Sequence, residues 1–294
     1  MFDWIRDRCV LIKTPIAFMS AAAALFGYAA QSRTPSVSAF VVAVSVFCLS
    51  GGASALNSYQ DRLLDGLMER TRIRPVPTGR ISPFEALLVS AIMIAAGTAG
   101  IVLAASSVIS PLAGLFAIIL YNALYTPLKR RTQLALVPGV LCGMMPPLVG
   151  WLAAGGSAGE PLIWYIMIFF GTWQVPHFWL IFSSFGKDFR LSQVPNILDS
   201  ISQNQLDRLI LIWSVAYCIL LLFMRPLYII RYDAFAVVLL LNALAVPLVF
   251  LIILHTIKSN KKYRYLFHYL NITTLAVIGM AVVDTAVAAS GTLL

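Results

Sequence analysis

Residues 40–66 read "FVVAVSVFCLSGGASALNSYQDRLLDG". The first part is apolar enough to cross a hydrocarbon core of roughly 30 Å as a helix. The last part places Asn57, Asp61 and Asp65 at intervals of four. Between Asp61 and Arg80 come three acidic residues and five arginines, in a chain that is 60% hydrophobic and only 11% charged. A membrane-crossing helix that ends in evenly spaced polar groups, with arginines behind them, decides both the fold and where to look for chemistry.

Working outward, apolar runs of about 20 residues recur along the chain, each long enough to span a bilayer. Short alternating segments, the mark of a β-barrel, are not evident. Lipid offers backbone groups no partner, so helices are expected throughout. The fold class is therefore all-α: a polytopic membrane protein with about nine spans. They are placed at 15–31, 36–58, 83–105, 108–128, 134–154, 161–184, 206–224, 234–257 and 266–290. No long linker or low-complexity tract interrupts them, so residues 1–294 are expected to form one integral-membrane domain.

Basic residues alternate with the spans. Arg6, Arg8 and Lys13 precede the first span. Arg62, Arg70, Arg72, Arg74 and Arg80 follow the second, and Lys129, Arg130 and Arg131 the fourth. Lys187, Arg190 and Arg208 follow the sixth, and Lys258, Lys261, Lys262 and Arg264 the eighth. These are eighteen of the 21 lysines and arginines. The positive-inside rule then puts the N-terminus and these four connections in the cytoplasm and the C-terminus outside. The net charge of +9 is explained as a topology signal, and no nucleic-acid partner is expected. The N-terminus "MFDWIRDRCVLIKTP" is charged and precedes a span with no evident cleavage site, so no cleaved secretory leader is expected. Cys9, Cys48, Cys142 and Cys218 lie far apart with no C-x-x-C pair, which fits isolated thiols and neither a disulfide framework nor a metal cage.

On a helix each step of four residues turns a side chain about 40° and rises about 6 Å. Asn57, Asp61 and Asp65 therefore share one stripe. A plain alternative is a solvated helix end with surface ion pairs. Against it, ionisable groups at the mouth of a membrane bundle are costly and usually functional. Magnesium takes oxygen ligands, keeps several waters, and is typically held by one or two carboxylates together with substrate phosphates. Arg70, Arg72 and Arg74 add donors for phosphate oxygens. A metal site beside arginines at a membrane surface points to a lipid diphosphate.

The run N-x-x-x-D-x-x-x-D, followed by M-E-R-T-R-x-R-P and T-G-R-I-S-P, resembles the first aspartate-rich motif of the UbiA superfamily of intramembrane prenyltransferases. Its R-T-x-x-R-P continuation looks more specifically like the protohaem IX farnesyltransferase branch. "YNALYTPLKRRT" (121–132) is similar to that family's Y-T-x-x-L-K-R segment. There Lys129 and Arg130 either reach the diphosphate or serve only as cytoplasmic anchors, and Tyr121 and Tyr125 share a helix face. "PGVLCGMMPPLVGW" (138–151) resembles its G-A-x-P-P-L-x-G-W run, and the two prolines suggest a broken or kinked helix. "WQVPHFWLIFSSFGKDF" (173–189) resembles the W-x-x-P-H-F segment. His177, set within a span and far along the chain from the other two histidines, either contacts a haem or makes a structural hydrogen bond. In "GKDFRLSQVPN" (186–196) the second acidic region is reduced to Asp188 preceded by Lys187. Asp188 then either holds one Mg²⁺ through water or pairs with Lys187 or Arg190. "KKYRYLFHYLNITTLAVIGMAVVD" (261–284) resembles the family's last span.

The resemblance implies a bacterial inner-membrane enzyme of UbiA-type fold, its helices surrounding a central cavity. It implies farnesyl diphosphate as donor, haem B as acceptor and Mg²⁺ as cofactor. Asn57, Asp61, Asp65 and Asp188 fall at the catalytic positions, with Asp61 and Asp65 on the metal. Arg70, Arg74, Tyr121, Tyr125, Lys129, Arg130, His177 and Lys187 fall at substrate-binding positions. Membrane lipid surrounds the chain, and contact with haem A synthase or an oxidase assembly is a further expectation. Two rivals remain. Prenylation of an aromatic quinone precursor such as 4-hydroxybenzoate would want a polar clamp for the acceptor, which is not evident. A non-catalytic haem or polyprenyl-lipid carrier gives no reason for the acidic stripe.

Overall fold

A computed structural model describes residues 2–186, 188, 194–195 and 197–291. Among the described residues it contains helices and no strand. The helices are α1 (Phe2–Leu11), α2 (Thr14–Ser32), α3 (Val37–Gln60), α4 (Arg62–Leu67), α5 (Pro83–Ala104) and α6 (Ile109–Leu128). They continue with α7 (Leu136–Ala153), α8 (Pro161–Ser184), α9 (Gln203–Phe223), α10 (Asp233–Thr256) and α11 (Lys261–Ser290). Eight of these are long and apolar enough to cross a membrane, and the α1–α2 pair, bent by 56°, adds a ninth if taken as one span. Eight of the nine expected spans thus each correspond to one helix and the first, 15–31, to the α2 arm of the bent pair, with ends that move by up to five residues.

Local sequence explains several boundaries. Ser36 caps α3 by accepting the N–H of Ala39 at 3.1 Å. Ser82 does the same for Glu85 at α5, where Pro83 fills the first helical position. Ser202 and Gln205 form a reciprocal capping box at α9. Asp284, fully buried in α11, accepts the backbone N–H groups of Arg231 and Tyr232, each at 3.0 Å, and so anchors the entry to α10.

Helices α2, α3, α6, α7, α8 and α11 ring a central cavity, while α5 packs outside α3 and α9 and α10 pack outside the second half. Large apolar side chains such as Phe40, Leu88, Leu103 and Leu241 point outward, as lipid-facing surface requires. Helices in lipid gain little from hydrophobic burial and associate through close packing at small residues. The α2–α7 seam shows this. A Cβ on Gly27 would sit 2.0 Å from the carbonyl oxygen of Pro147, and one on Gly150 would sit 1.8 Å from that of Ala24.

Of the two expectations for Pro146 and Pro147, a broken helix is not seen: α7 runs from Leu136 to Ala153 through both, held against α2 along this seam. The irregular stretch lies instead in α6, where residues Ile119–Tyr125 widen into a π-helical turn. Such turns occur often at functional sites, and this one carries Tyr121, Asn122 and Tyr125.

Candidate active site

The cavity has a volume of about 820 Å³ and is lined mainly by apolar side chains. Its polar end is built on the C-terminus of α3. The helix is interrupted at Asp61, yet Asp61 N–H still bonds to Asn57 O at 2.8 Å and Asp65 N–H to Asp61 O at 2.7 Å. The four-residue rhythm therefore survives the break, and Asn57, Asp61 and Asp65 all face the cavity while buried.

Each member of the stripe is held by a cation or an amide. Asp61 pairs with Lys129 through one oxygen and with Arg130 at 2.8 Å through the other. Asn57 Nδ2 donates to Asp61 Oδ2 and to Thr126 Oγ1, both at 2.9 Å. Arg74 Nη1 reaches both oxygens of Asp65, at 2.9 and 3.2 Å. Burial pushes the Asp61 carboxyl up, but the charges and hydrogen bonds of Lys129 and Arg130 outweigh it and leave the group below its ordinary value. Arg70 lies across the ring of Phe185 at 4.5 Å and also lines the cavity.

The loop after α4 is a folded element and not a loose basic tail. Thr71 Oγ1 donates to Asp65 O at 2.8 Å, Ile81 N–H to Pro75 O at 3.0 Å, and Gly79 takes φ +75° to close the turn. Asp188 fastens it from the far side of the sequence. Its carboxylate accepts the N–H of Glu69 at 3.1 Å and of Arg70 at 3.3 Å. Asp188 is buried, but it is not one of the residues lining the cavity. Lys187 and Arg190 lie outside the described residues.

Tyr121 and Tyr125 stack with centroids 5.6 Å apart, and Tyr125 meets Phe178 at 6.0 Å. Their shared face is thus a cavity wall and not a lipid interface. On α8, His177 Nδ1 lies 3.1 Å from Asn271 Oδ1 of α11, and its ring sits between Trp173 and Phe267, each at 4.8 Å. His177 thus makes the structural hydrogen bond considered for it, and it also lines the cavity. His268, remote from it in sequence, lines the same cavity.

Sequence reasoning missed Lys13, counting it only as a topology charge. It adopts left-handed backbone (φ 51°, ψ 58°) between α1 and α2, and its amine donates to Asn57 Oδ1. Tyr121 OH lies 3.5 Å from the same amine. For a residue with a side chain that backbone costs about 1–2 kcal/mol, so the surrounding contacts hold it there. Asn271 and Gln174, both in the cavity wall, were also missed, because isolated amides in apolar helices carry no spacing signal.

The donor set fits Mg²⁺. It offers hard oxygen atoms from one amide and two carboxylates. Two carboxylates and an amide suit an ion that keeps its waters and takes further ligands from phosphate. Among the described residues no group of three or more His, Cys, Asp or Glu side chains is placed to hold a metal ion by itself. Around it, Arg70, Arg74, Lys129 and Arg130 outnumber Asp61 and Asp65 two to one, leaving a positive surplus at the cavity mouth.

The UbiA prenyltransferase family profile matches residues 17–282, and the chain belongs to that family. Among curated relatives, the chain is 31% identical over 280 residues to the protoheme IX farnesyltransferase of Nitratidesulfovibrio vulgaris strain Hildenborough, covering 95% of both chains. It is 42% identical over 190 residues to the protein of the same name from Geobacter sulfurreducens, covering 65% of this chain and 70% of that one. A UbiA homologue from Archaeoglobus fulgidus, solved with GPP and Mg²⁺, shares the fold at a TM-score of 0.65 and 17% identity, covering 94% of this chain and 99% of that one.

Proposed function

We propose that the chain is a protohaem IX farnesyltransferase, moving a farnesyl group from farnesyl diphosphate to a vinyl group of haem B to give haem O and diphosphate. One observation carries the reading: an acidic stripe inside a ring of surplus cations opens onto an apolar cavity that also holds His177. The names of the relatives supply the acceptor.

In this reading Asn57, Asp61 and Asp65 would hold Mg²⁺, and the ion would supply charge neutralisation for the leaving group. Lys13, Arg70, Arg74, Lys129 and Arg130 bind the remaining phosphate oxygens and orient the allylic carbon–oxygen bond along the cavity. When that bond breaks, its electron pair leaves with diphosphate and the farnesyl chain becomes an allylic cation. The apolar walls keep water from the cation, and the faces of Tyr121 and Tyr125 offer it π density. The haem vinyl group attacks the first farnesyl carbon, which puts the positive charge on the carbon next to the porphyrin. Water adds there and loses a proton, leaving a hydroxyl. An aromatic acceptor would instead lose a ring proton, so the two acceptors differ in whether oxygen is gained.

The basic connections support a cytoplasmic N-terminus and cavity mouth in a bacterial inner membrane, with the C-terminus outside. Incubation with haem B, farnesyl diphosphate and Mg²⁺ in heavy-oxygen water, then mass spectrometry of extracted haems, tests the reading. The expected product carries one farnesyl group and one labelled hydroxyl. Prenylated hydroxybenzoate with no haem product overturns it.

A further inference from the structure

We infer that Asn271 is a positioning residue that fixes the tautomer of His177 and thereby presents His177 Nε2 to the iron of the haem acceptor. The inference rests on the proposed function for the identity of the acceptor, but its argument comes from four groups on α8 and α11.

The side-chain amide of Asn271 has one donor end and one acceptor end. Its donor end is committed, because Nδ2 donates to the carbonyl of Phe267 one turn earlier on α11. That leaves Oδ1 facing His177 Nδ1 at 3.1 Å. An oxygen acceptor requires a proton on Nδ1. In the neutral imidazole the proton is then absent from Nε2, whose lone pair is free. Among the described residues no group hydrogen-bonds Nε2, and it is not among the sealed polar atoms that lack a partner. His177 lines the cavity. The rings of Trp173 and Phe267 lie 4.8 Å from the imidazole and restrict its swing.

A histidine whose Nδ1–H is held by an oxygen acceptor while Nε2 stays open is the arrangement in which imidazoles ligate metals. A purely structural histidine in an apolar wall would be expected to use both nitrogens or to be sealed. The pairing also explains the otherwise unmotivated Asn271, set between Leu270 and Ile272 in an apolar span.

The test is haem B titration into the full chain in lipid nanodiscs, read by absorption and electron paramagnetic resonance. The wild type should show a histidine-ligated spectrum. Asn271→Leu should weaken haem binding roughly 10- to 100-fold and lose that spectrum. It should still bind farnesyl diphosphate, which shows that the variant is folded. Asn271→Asp keeps an oxygen acceptor and should retain the ligated spectrum, with a stronger donor histidine. In His177→Gly, added imidazole should restore the spectrum. The inference is overturned if Asn271→Leu leaves spectrum and affinity unchanged, or if His268→Ala removes the ligand signal and His177→Gly does not. A wild type that shows the histidine signal yet forms no haem O defeats the proposed function and leaves this inference standing. Haem O formation with an unaltered Asn271→Leu spectrum does the reverse.

Discussion

The two ends of the cavity are built on opposite plans. At the mouth, Asn57, Asp61 and Asp65 meet Lys13, Arg74, Lys129 and Arg130 in a dense polar network. Along the α8 wall, a single imidazole sits among Trp173, Phe178 and Phe267 with one amide partner. On the proposed function the mouth would receive a group whose charge must be matched, and the wall a flat apolar group for which shape and one ligating atom suffice. Breaking an ion pair at the mouth also leaves its partner buried and uncompensated, which is far more costly than trimming an apolar wall. The mouth should therefore be the more fragile end.

The sharpest way to break this contrast is a pair of substitutions read against both substrates. Asp61→Asn should lower turnover roughly 100- to 1,000-fold, the scale of losing a group that stabilises transition-state charge. Its defect should follow farnesyl diphosphate and Mg²⁺ while haem binding stays within about twofold, since the side-chain partners of Asp61 are Asn57, Lys129 and Arg130, none of them on α8. His177→Ala should do the converse, raising the KM for haem about 10- to 100-fold and leaving that for farnesyl diphosphate nearly unchanged. If both variants shift both substrates equally, the two ends are one site and the contrast is wrong.

A smaller effect comes from Lys13. A buried hydrogen bond contributes about 0.5–1.5 kcal/mol, so Lys13→Met should raise the KM for farnesyl diphosphate roughly 2- to 10-fold. Lys13→Gly separates the amine from its backbone. It relieves the left-handed conformation but still lacks the amine, so it should be the better folded of the two and equally poor in binding. Recovery of binding in Lys13→Gly would show that the amine has no part at the mouth.

The same contrast explains what could be read from the sequence. Charges are rare in membrane spans, so Asp61, Asp65 and the arginines stood out, and the apolar runs marked the spans to within five residues at each end. Lys129 and Arg130, left open between substrate ligand and anchor, both pair with Asp61. Lys13 was hidden because its role depends on a 56° bend between α1 and α2, which returns a terminal amine to α3. Asn271 was hidden because its partner is 94 positions away. The π-helical turn in α6 had no sequence signal either, since Ile119–Tyr125 reads as ordinary apolar helix. Long-range pairing within the bundle, not local propensity, sets these features.

Asp188 offers a milder probe of the mouth. Its carboxylate holds the backbone of Glu69 and Arg70 and does not line the cavity. Asp188→Asn keeps an acceptor oxygen and should reduce turnover only a few-fold, whereas Asp188→Ala should loosen residues 68–74 in hydrogen exchange. An Asp188→Asn loss as large as that of Asp61→Asn would instead place Asp188 in direct charge with Asp61 and Asp65.

The smallest effect concerns the clasp that ties α1 to the loop behind the mouth. Arg80 donates to Asp7 through Nε at 2.9 Å and Nη2 at 3.2 Å, and also to Ile73 O at 2.9 Å. The Arg80 guanidinium holds the Asp7 carboxyl below its ordinary value of 3.8. A carboxyl lowered by folding stabilises the clasp fully above the unfolded value, and that contribution fades as pH falls through the folded one. The clasp should therefore hold at neutral pH and weaken only below about pH 3.8. Pepsin works in that range and can report exposure of residues 2–11 in nanodiscs. Wild-type α1 should be protected at pH 4.5 and cut progressively faster toward pH 2.5, while Asp7→Asn, which has no charge to lose, should be cut at a rate set by the protease alone. Identical pH profiles for the two proteins would show that α1 is held by Arg8–Glu85 and by lipid, and that the Asp7–Arg80 pair does not hold it.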